Sequence, residues 1–174
     1  DKICKHDEFE YNYKVEFVRD HSRVEIDGLV YKMDPANLTA VVIADKEEDE
    51  SNYASLPSKV YVPATVNCAN KTFKVTGIGD NAFYTCAAIQ EIVLPESLVS
   101  VGDAAFYSCA NLQHVSLPSS IRRIGKGAFW NCSELSEITI PQGVTAIPEN
   151  TFNGCVKLEK VNLPTSVNTI GNAA

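Results

Sequence analysis

Histidine, methionine and tryptophan are scarce in this 174-residue chain, at three, one and one, and long apolar runs are missing altogether. A helix that crosses a bilayer needs about 20 consecutive apolar residues, so the sequence offers no membrane-spanning segment. Basic residues are outnumbered, 15 Lys and Arg against 22 Asp and Glu, for a net charge of −7. Nucleic-acid backbones are bound by a basic stripe, and these cations are scattered, which excludes nucleic acid as the main partner. His6, His21 and His114 stand in unrelated contexts, and the six cysteines show none of the close pairs that hold zinc. No metal site and no cofactor are therefore expected. Glycine-rich phosphate loops are absent too. The chain opens at Asp1 rather than Met and carries no charged-then-apolar leader. The expectation is a processed or trimmed start, consistent with export. The densest charge run, Asp45 to Glu50, lacks the spaced Asp, Asn and Gly of a calcium loop and reads as a solvated loop.

What is present is a repeat. Four segments, 76–98, 99–121, 122–144 and 145–167, align without a gap at a spacing of 23 residues, and a partial fifth runs 168–174. Ile78, Val101, Ile124, Ile147 and Ile170 form one column. Phe83, Phe106, Phe129 and Phe152 form the next, followed by Cys86, Cys109, Cys132 and Cys155, then by Ile89, Leu112, Leu135 and Leu158. The pairs Ile92/Leu94, Val115/Leu117, Ile138/Ile140 and Val161/Leu163 each precede a proline, and Leu98, Ile121, Val144 and Val167 close the unit. One such unit cannot bury its apolar face alone, so neighbours must stack. The Ile-x-Leu-Pro segment alternates with period two, as a half-buried strand does, and proline ends it at the same place in every turn. Stacking makes a parallel sheet along one side. The close apolar spacing of Gly-x-x-Ala-Phe-x-x-Cys predicts a tight helical or 3₁₀ turn opposite it. Gly79, Gly102, Gly125 and Gly171 precede that turn, where a sharp backbone bend is expected. Pro148 holds the matching place in the fourth unit, so a positive φ is not required there.

The stretch IGDNAFYTCAAIQEIVLPESL resembles the repeat of the BspA-like leucine-rich-repeat family of bacterial surface and secreted proteins. The resemblance covers residues 76–174. It implies a right-handed leucine-rich-repeat solenoid, a β/α or β/3₁₀ superhelix, with roles in adhesion and in binding host, matrix or other cell-surface proteins. The family motif holds no catalytic residues. The fourth unit departs from it, with Ile-Pro-Glu-Asn-Thr-Phe where the others have Ile-Gly-x-x-Ala-Phe.

Residues 1–75 lack the repeat but alternate as strands do, over 9–18, 24–33 and 40–44, with a turn or bulge at Asp27-Gly28 and a turn at 34–37. Residues 60–66 match the Ile-x-Leu-Pro half of a unit, and 67–75 read as an inserted hairpin. The expectation is a β-rich N-terminal cap over 1–75, continuous with the array. At the other end no capping sequence follows the fifth unit. That predicts either a fragment of a longer array or self-association through the open end.

The repeat cysteines are expected as a column of buried thiols, small apolar fillers rather than disulfides, while Cys4 and Cys68 could pair in an oxidising compartment. Ser108 and Ser116 near His114 form no nucleophile elbow, and no catalytic residues are expected. Two surface rows remain as candidate binding residues. Glu91, His114, Glu137 and Lys160 face out of the sheet because their neighbours face in. Tyr84, Tyr107 and Trp130 follow the repeat phenylalanines, with Asn153 fourth, and would stand as a row of aromatics away from the sheet. The leading expectation is a non-enzymatic, adhesin-like protein-interaction module, secreted or at the cell surface. A glycan-binding module using Tyr84, Tyr107 and Trp130 is the alternative from another class, and an architectural spacer is a third.

Overall fold

A computed structural model describes residues 23–45 and 53–174. The strand expected over 9–18, Cys4, His6, His21 and most of the acidic run lie outside the described residues. Strands β1 (Arg23–Ile26) and β2 (Leu29–Asp34) form an antiparallel hairpin. Asp27 and Gly28 both take positive φ, 53° and 77°, the pattern that matches the twist of paired strands, so the expected turn or bulge is a full hairpin turn. β3 (Thr39–Ile43) continues this meander, after a turn in which the Asp34 carboxylate accepts the N–H groups of Ala36 and Asn37. β4 (Lys59–Tyr61) follows, then a second hairpin of β5 (Thr65–Cys68) and β6 (Lys71–Ile78), turned at Ala69 and Asn70, which are both left-handed. β6 pairs in parallel with β3 across a bulge at Ala40/Val41.

From there strands come in pairs, one pair to a repeat: β7 (Glu91–Val93) and β8 (Ser100–Val101), β9 (His114–Ser116) and β10 (Arg123–Ile124), β11 (Glu137–Thr139) and β12 (Ala146–Ile147), β13 (Lys160–Asn162) and β14 (Thr169–Ile170). All pairings between turns are parallel. β4, β7 and β9 form one sheet, with Lys59 opposite Glu91 and Glu91 opposite His114, and β11 pairs with β13. Lys59 and Glu91 are separated by more than one repeat because the β5–β6 hairpin is inserted between them. The sequence predicts this sheet. A second set was not foreseen: β8 and β10 extend the sheet of β1, β2, β3 and β6, and β12 pairs with β14. It forms because the Ile78/Val101/Ile124 column points inward while the following glycine N–H continues the pairing, Gly102 to Ile78 O at 2.8 Å and Gly125 to Val101 O at 2.9 Å. Pro148 has no N–H to give, and β10 and β12 do not pair.

The turn side corrects the expected β/α or β/3₁₀ architecture, because the described residues contain no helix. In a helix every N–H stays within the segment. Here alternate N–H groups leave it: Asn81, Phe83 and Thr85 donate to Asp103, Ala105 and Tyr107 of the next turn at 2.7–2.9 Å. Ala104, Phe106 and Ser108 repeat the pattern to Lys126, Ala128 and Trp130 at 2.7–2.8 Å. The remaining groups close β-turns, Ala82 to Gly79, Tyr84 to Asn81 and Cys86 to Phe83. Left-handed residues at Asn81 and Thr85, Ala104 and Ser108, Gly127 and Asn131, Asn150 and Gly154 flip the chain between the two directions.

Inside, the repeat phenylalanines stack, Phe83 on Phe106 at 5.2 Å and 3°, Phe106 on Phe129 at 5.3 Å and 4°. From the second unit onward each repeat thiol donates to the phenylalanine carbonyl one turn back, Cys109 to Phe83 O at 3.0 Å, Cys132 to Phe106 O at 3.1 Å and Cys155 to Phe129 O at 3.0 Å. This explains a small side chain that is apolar yet carries a donor. Cys86, Cys109, Cys132 and Cys155 are free thiols. Tyr53 sits at the head of both columns: its ring lies 5.1 Å from Phe83, and its carbonyl accepts the Cys86 thiol. Its hydroxyl is spliced into the end of the β2–β3 pairing, accepting the Val30 N–H at 3.0 Å and donating to the Ile43 carbonyl.

Candidate interaction surfaces

The out-facing strand residues fall in two rows, aligned by parallel register within β4–β7–β9 and within β11–β13, and by the 23-residue repeat between β9 and β11. Lys59, Glu91, His114, Glu137 and Lys160 occupy the first, and Tyr61, Val93, Ser116, Thr139 and Asn162 the second. His114, Glu137 and Lys160 are exposed, and Glu91 is half-buried by its neighbours. Lys59 Nζ bonds Glu91 Oε1 at 2.8 Å and lies 5.3 Å from the centre of the Tyr61 ring. The hydrogen bond to Glu91, then that to Tyr61, raises the Lys59 pKa. Lys59 and Tyr61 were not singled out from the sequence, although the match of 60–66 to a half-unit was the available signal. Tyr61 is 64% exposed.

Tyr84, Tyr107 and Trp130 are brought together as one continuous column, each ring half-buried. Tyr84 and Tyr107 stack at 4.7 Å and 6°, so they cover each other's facing sides and leave ring edges outward. Trp130 breaks the stack, lying 5.5 Å from Tyr107 at 66°. A side chain at Gly127 would meet the indole at 3.3 Å, so that glycine makes the room in which the ring turns. Asn153 holds the fourth place, and its turn closes with the same bond, Asn153 N–H to Asn150 O at 3.3 Å against Trp130 N–H to Gly127 O at 3.0 Å. The fold therefore does not need an aromatic side chain in this column. The strand rows and the aromatic column lie on different elements of each turn, with the buried Cys and Leu columns between them in sequence.

Flanking polar groups are committed to the stack. Asp80 accepts the Asp103 N–H at 2.7 Å, and Asp103 accepts Lys126 N–H at 3.0 Å and Arg123 at 2.9 Å. Lys126 pairs with Glu149, and Lys157 with Glu134. At the last described turn the apolar columns open to solvent: Ile170 is 62% exposed, where Ile147 one turn earlier is 3%. Among the described residues no group of His, Cys, Asp and Glu could hold a metal ion, and no helix is long and apolar enough to cross a membrane.

A family model described as "BspA type Leucine rich repeat region" matches residues 58–174 in six copies. No curated protein sequence matches the chain. Among solved structures, a leucine rich cell surface protein from Faecalibacterium prausnitzii is similar at a TM-score of 0.64 and 24% identity over 85% of this chain. The chain spans 44% of that protein's length. A leucine-rich repeat protein from Bacteroides capillosus is similar at 0.60 and 27% identity, over 86% of this chain and 96% of that one. The pneumococcal vaccine antigen PcpA is similar at 0.59 and 21% identity, over 86% of this chain and 46% of its own.

Proposed function

The chain belongs to the BspA-type leucine-rich-repeat family, and from that premise we propose that it is a non-enzymatic protein-interaction module of a bacterial cell-surface or secreted protein, adhesin-like, whose partners are host, matrix or other cell-surface proteins. The observation that carries this reading is the column Tyr84, Tyr107 and Trp130. Three half-exposed aromatics stand in contact at a position where Asn153 closes its turn with the same bond. Tyrosine and tryptophan are enriched in protein interfaces and dominate their energetics. Ring edges and hydroxyls suit a protein partner, which offers both apolar and hydrogen-bonding groups. The cell-surface description of the similar Faecalibacterium protein agrees with this location.

The scaffold is read as a right-handed solenoid, with residues 1–75 forming a cap continuous with the repeats. Support comes from the shared sheet of β1, β2, β3, β6, β8 and β10, and from Tyr53 extending the phenylalanine stack. A glycan-binding reading is favoured by one observation, the tilt of Trp130 away from the tyrosine stack, since sugars stack on ring faces. Substituting Tyr107→Ser and Trp130→Ser together tests the main reading. Binding to a protein partner should fall while circular dichroism stays unchanged; equal binding by an intact fold would remove the column from the account.

A further inference from the structure

The first strand row has a charge order that reads the same in both directions: Lys59, Glu91, His114, Glu137, Lys160. Turned end for end and laid face to face, two such rows conflict in full overlap, with lysine on lysine and glutamate on glutamate. Displaced by one strand no like charges meet, and every position finds an opposite charge or a hydrogen-bonding partner. Glu91 then meets the partner's Lys160, His114 meets the partner's Glu137, and a twofold axis parallel to the strands generates the two reciprocal contacts. A twofold axis in that direction also keeps the first row over the first row, as an isologous interface requires.

The sheet face leaves three of these four groups available, while Glu91 would share its carboxylate between Lys59 of its own chain and the partner copy. His114, Glu137 and Lys160 have no ion pair among the described residues, although Glu137 and Lys160 stand directly opposite each other in the β11–β13 register. By contrast Lys126 and Glu149, and Lys157 and Glu134, close their own pairs one turn apart. The second row adds no bulk over this stretch, being Val93, Ser116, Thr139 and Asn162. From this we infer that the strand face binds a second copy of the chain, antiparallel in the direction of the array and offset by one strand. It rests on the reading of the chain as a protein-interaction module and names a partner for it.

Strands lie about 4.8 Å apart, so the four matched positions span roughly 14 Å. So small a patch gives a weak dimer in solution, which copies crowded on a surface would strengthen by their high local concentration. Reversed array directions are those of chains projecting from two facing cells.

Sedimentation of the 174-residue chain over a wide concentration range tests this. The wild type should associate reversibly into dimers. Lys160→Glu and Glu91→Lys should each raise the dissociation constant about ten-fold or more, since each reversal spoils two symmetry-related contacts. The double variant Glu91→Lys/Lys160→Glu should dimerise again, because the reversed charges still oppose each other. A chain that stays monomeric, or a Lys160→Glu variant that dimerises like wild type, overturns the proposal. Binding to host or matrix proteins that persists in a monomeric chain would leave the interaction-module reading standing while this one fails.

Discussion

Replacing Gly125 by alanine probes the contact that sets how closely the turns stack. A methyl group there would lie 2.3 Å from the carbonyl carbon of Gly102 and 2.4 Å from both the backbone N and Oδ1 of Asp103. Two of these atoms are backbone, so no rotamer change relieves the overlap. Carbon atoms pack at about 3.5–4.0 Å, so the turns must part by roughly 1 Å. Three bonds cross that gap: Gly125 N–H to Val101 O at 2.9 Å, Lys126 N–H to Asp103 Oδ1 at 3.0 Å, and Ala104 N–H to Lys126 O at 2.8 Å. At about 1 kcal/mol each, with loosened packing between Phe106 and Phe129, the loss comes to about 3–5 kcal/mol. Gly28 supplies the contrast. It has a positive φ of 77°, but its nearest neighbour to a new methyl is Leu56 at 3.7 Å. Gly28→Ala therefore costs only the backbone strain, about 1–2 kcal/mol. Urea unfolding followed by circular dichroism compares the two variants. If Gly125→Ala is no more destabilising than Gly28→Ala, close backbone approach is not why glycine recurs in this column.

Tyr53→Phe keeps the ring against Phe83 but leaves the Val30 N–H and the Ile43 carbonyl without their shared partner, and should cost about 2–3 kcal/mol in the same assay. Arg122 Nη1 donates to the Ile121 carbonyl at 3.0 Å, the acceptor that serine serves in other turns, as Ser120 does for Leu98 and Ser166 for Val144. Gly143 stands at that serine position, where a side chain would lie 2.5 Å from the Ile121 carbonyl oxygen, so Arg122→Ala should cost about 1 kcal/mol by thermal melting and adding Gly143→Ser should not return it. Burial raises the thiols of Cys86, Cys109, Cys132 and Cys155, the last to about 11 from an ordinary 9.0. Their contribution to stability is complete below pH 9, where both states keep the proton, and declines above it as only the unfolded chain ionises; for Cys155 the decline runs to about pH 11. Alkylation read by mass spectrometry at pH 8 should leave Cys109 and Cys132 unmodified in the native chain and label both in urea.

Much of this scaffold was legible because it is written once per turn. The Phe, Cys and Leu columns are fully buried in the first three units, as their recurrence required. The misread element was the turn side. Ala82, Phe83, Cys86 and Ile89 have the spacing of a helix face, but a helix is a local structure, and half of the N–H groups here bond 22 residues ahead. The glycine column was read as a bend that needs no positive φ, and Gly102 and Gly125 have none; what the sequence did not show is that they are small because the next backbone lies against them. Tyr53 gave no periodic signal, since the β5–β6 insertion puts it out of step with Phe83. The aromatic column could be read from sequence, whereas the tilt of Trp130, which decides between ring faces and ring edges, depends on Gly127 and could not.

The central claim is that this chain binds proteins through the aromatic column. The most direct measurement is binding of the wild type and of Tyr107→Ser/Trp130→Ser to a panel of immobilised matrix and host-surface proteins, with a glycan array run beside it. The account predicts saturable binding to at least one protein, weakened about ten-fold or more in the folded double variant, and no sugar signal. Binding to glycans alone, or protein binding that the double variant keeps unchanged, would contradict it.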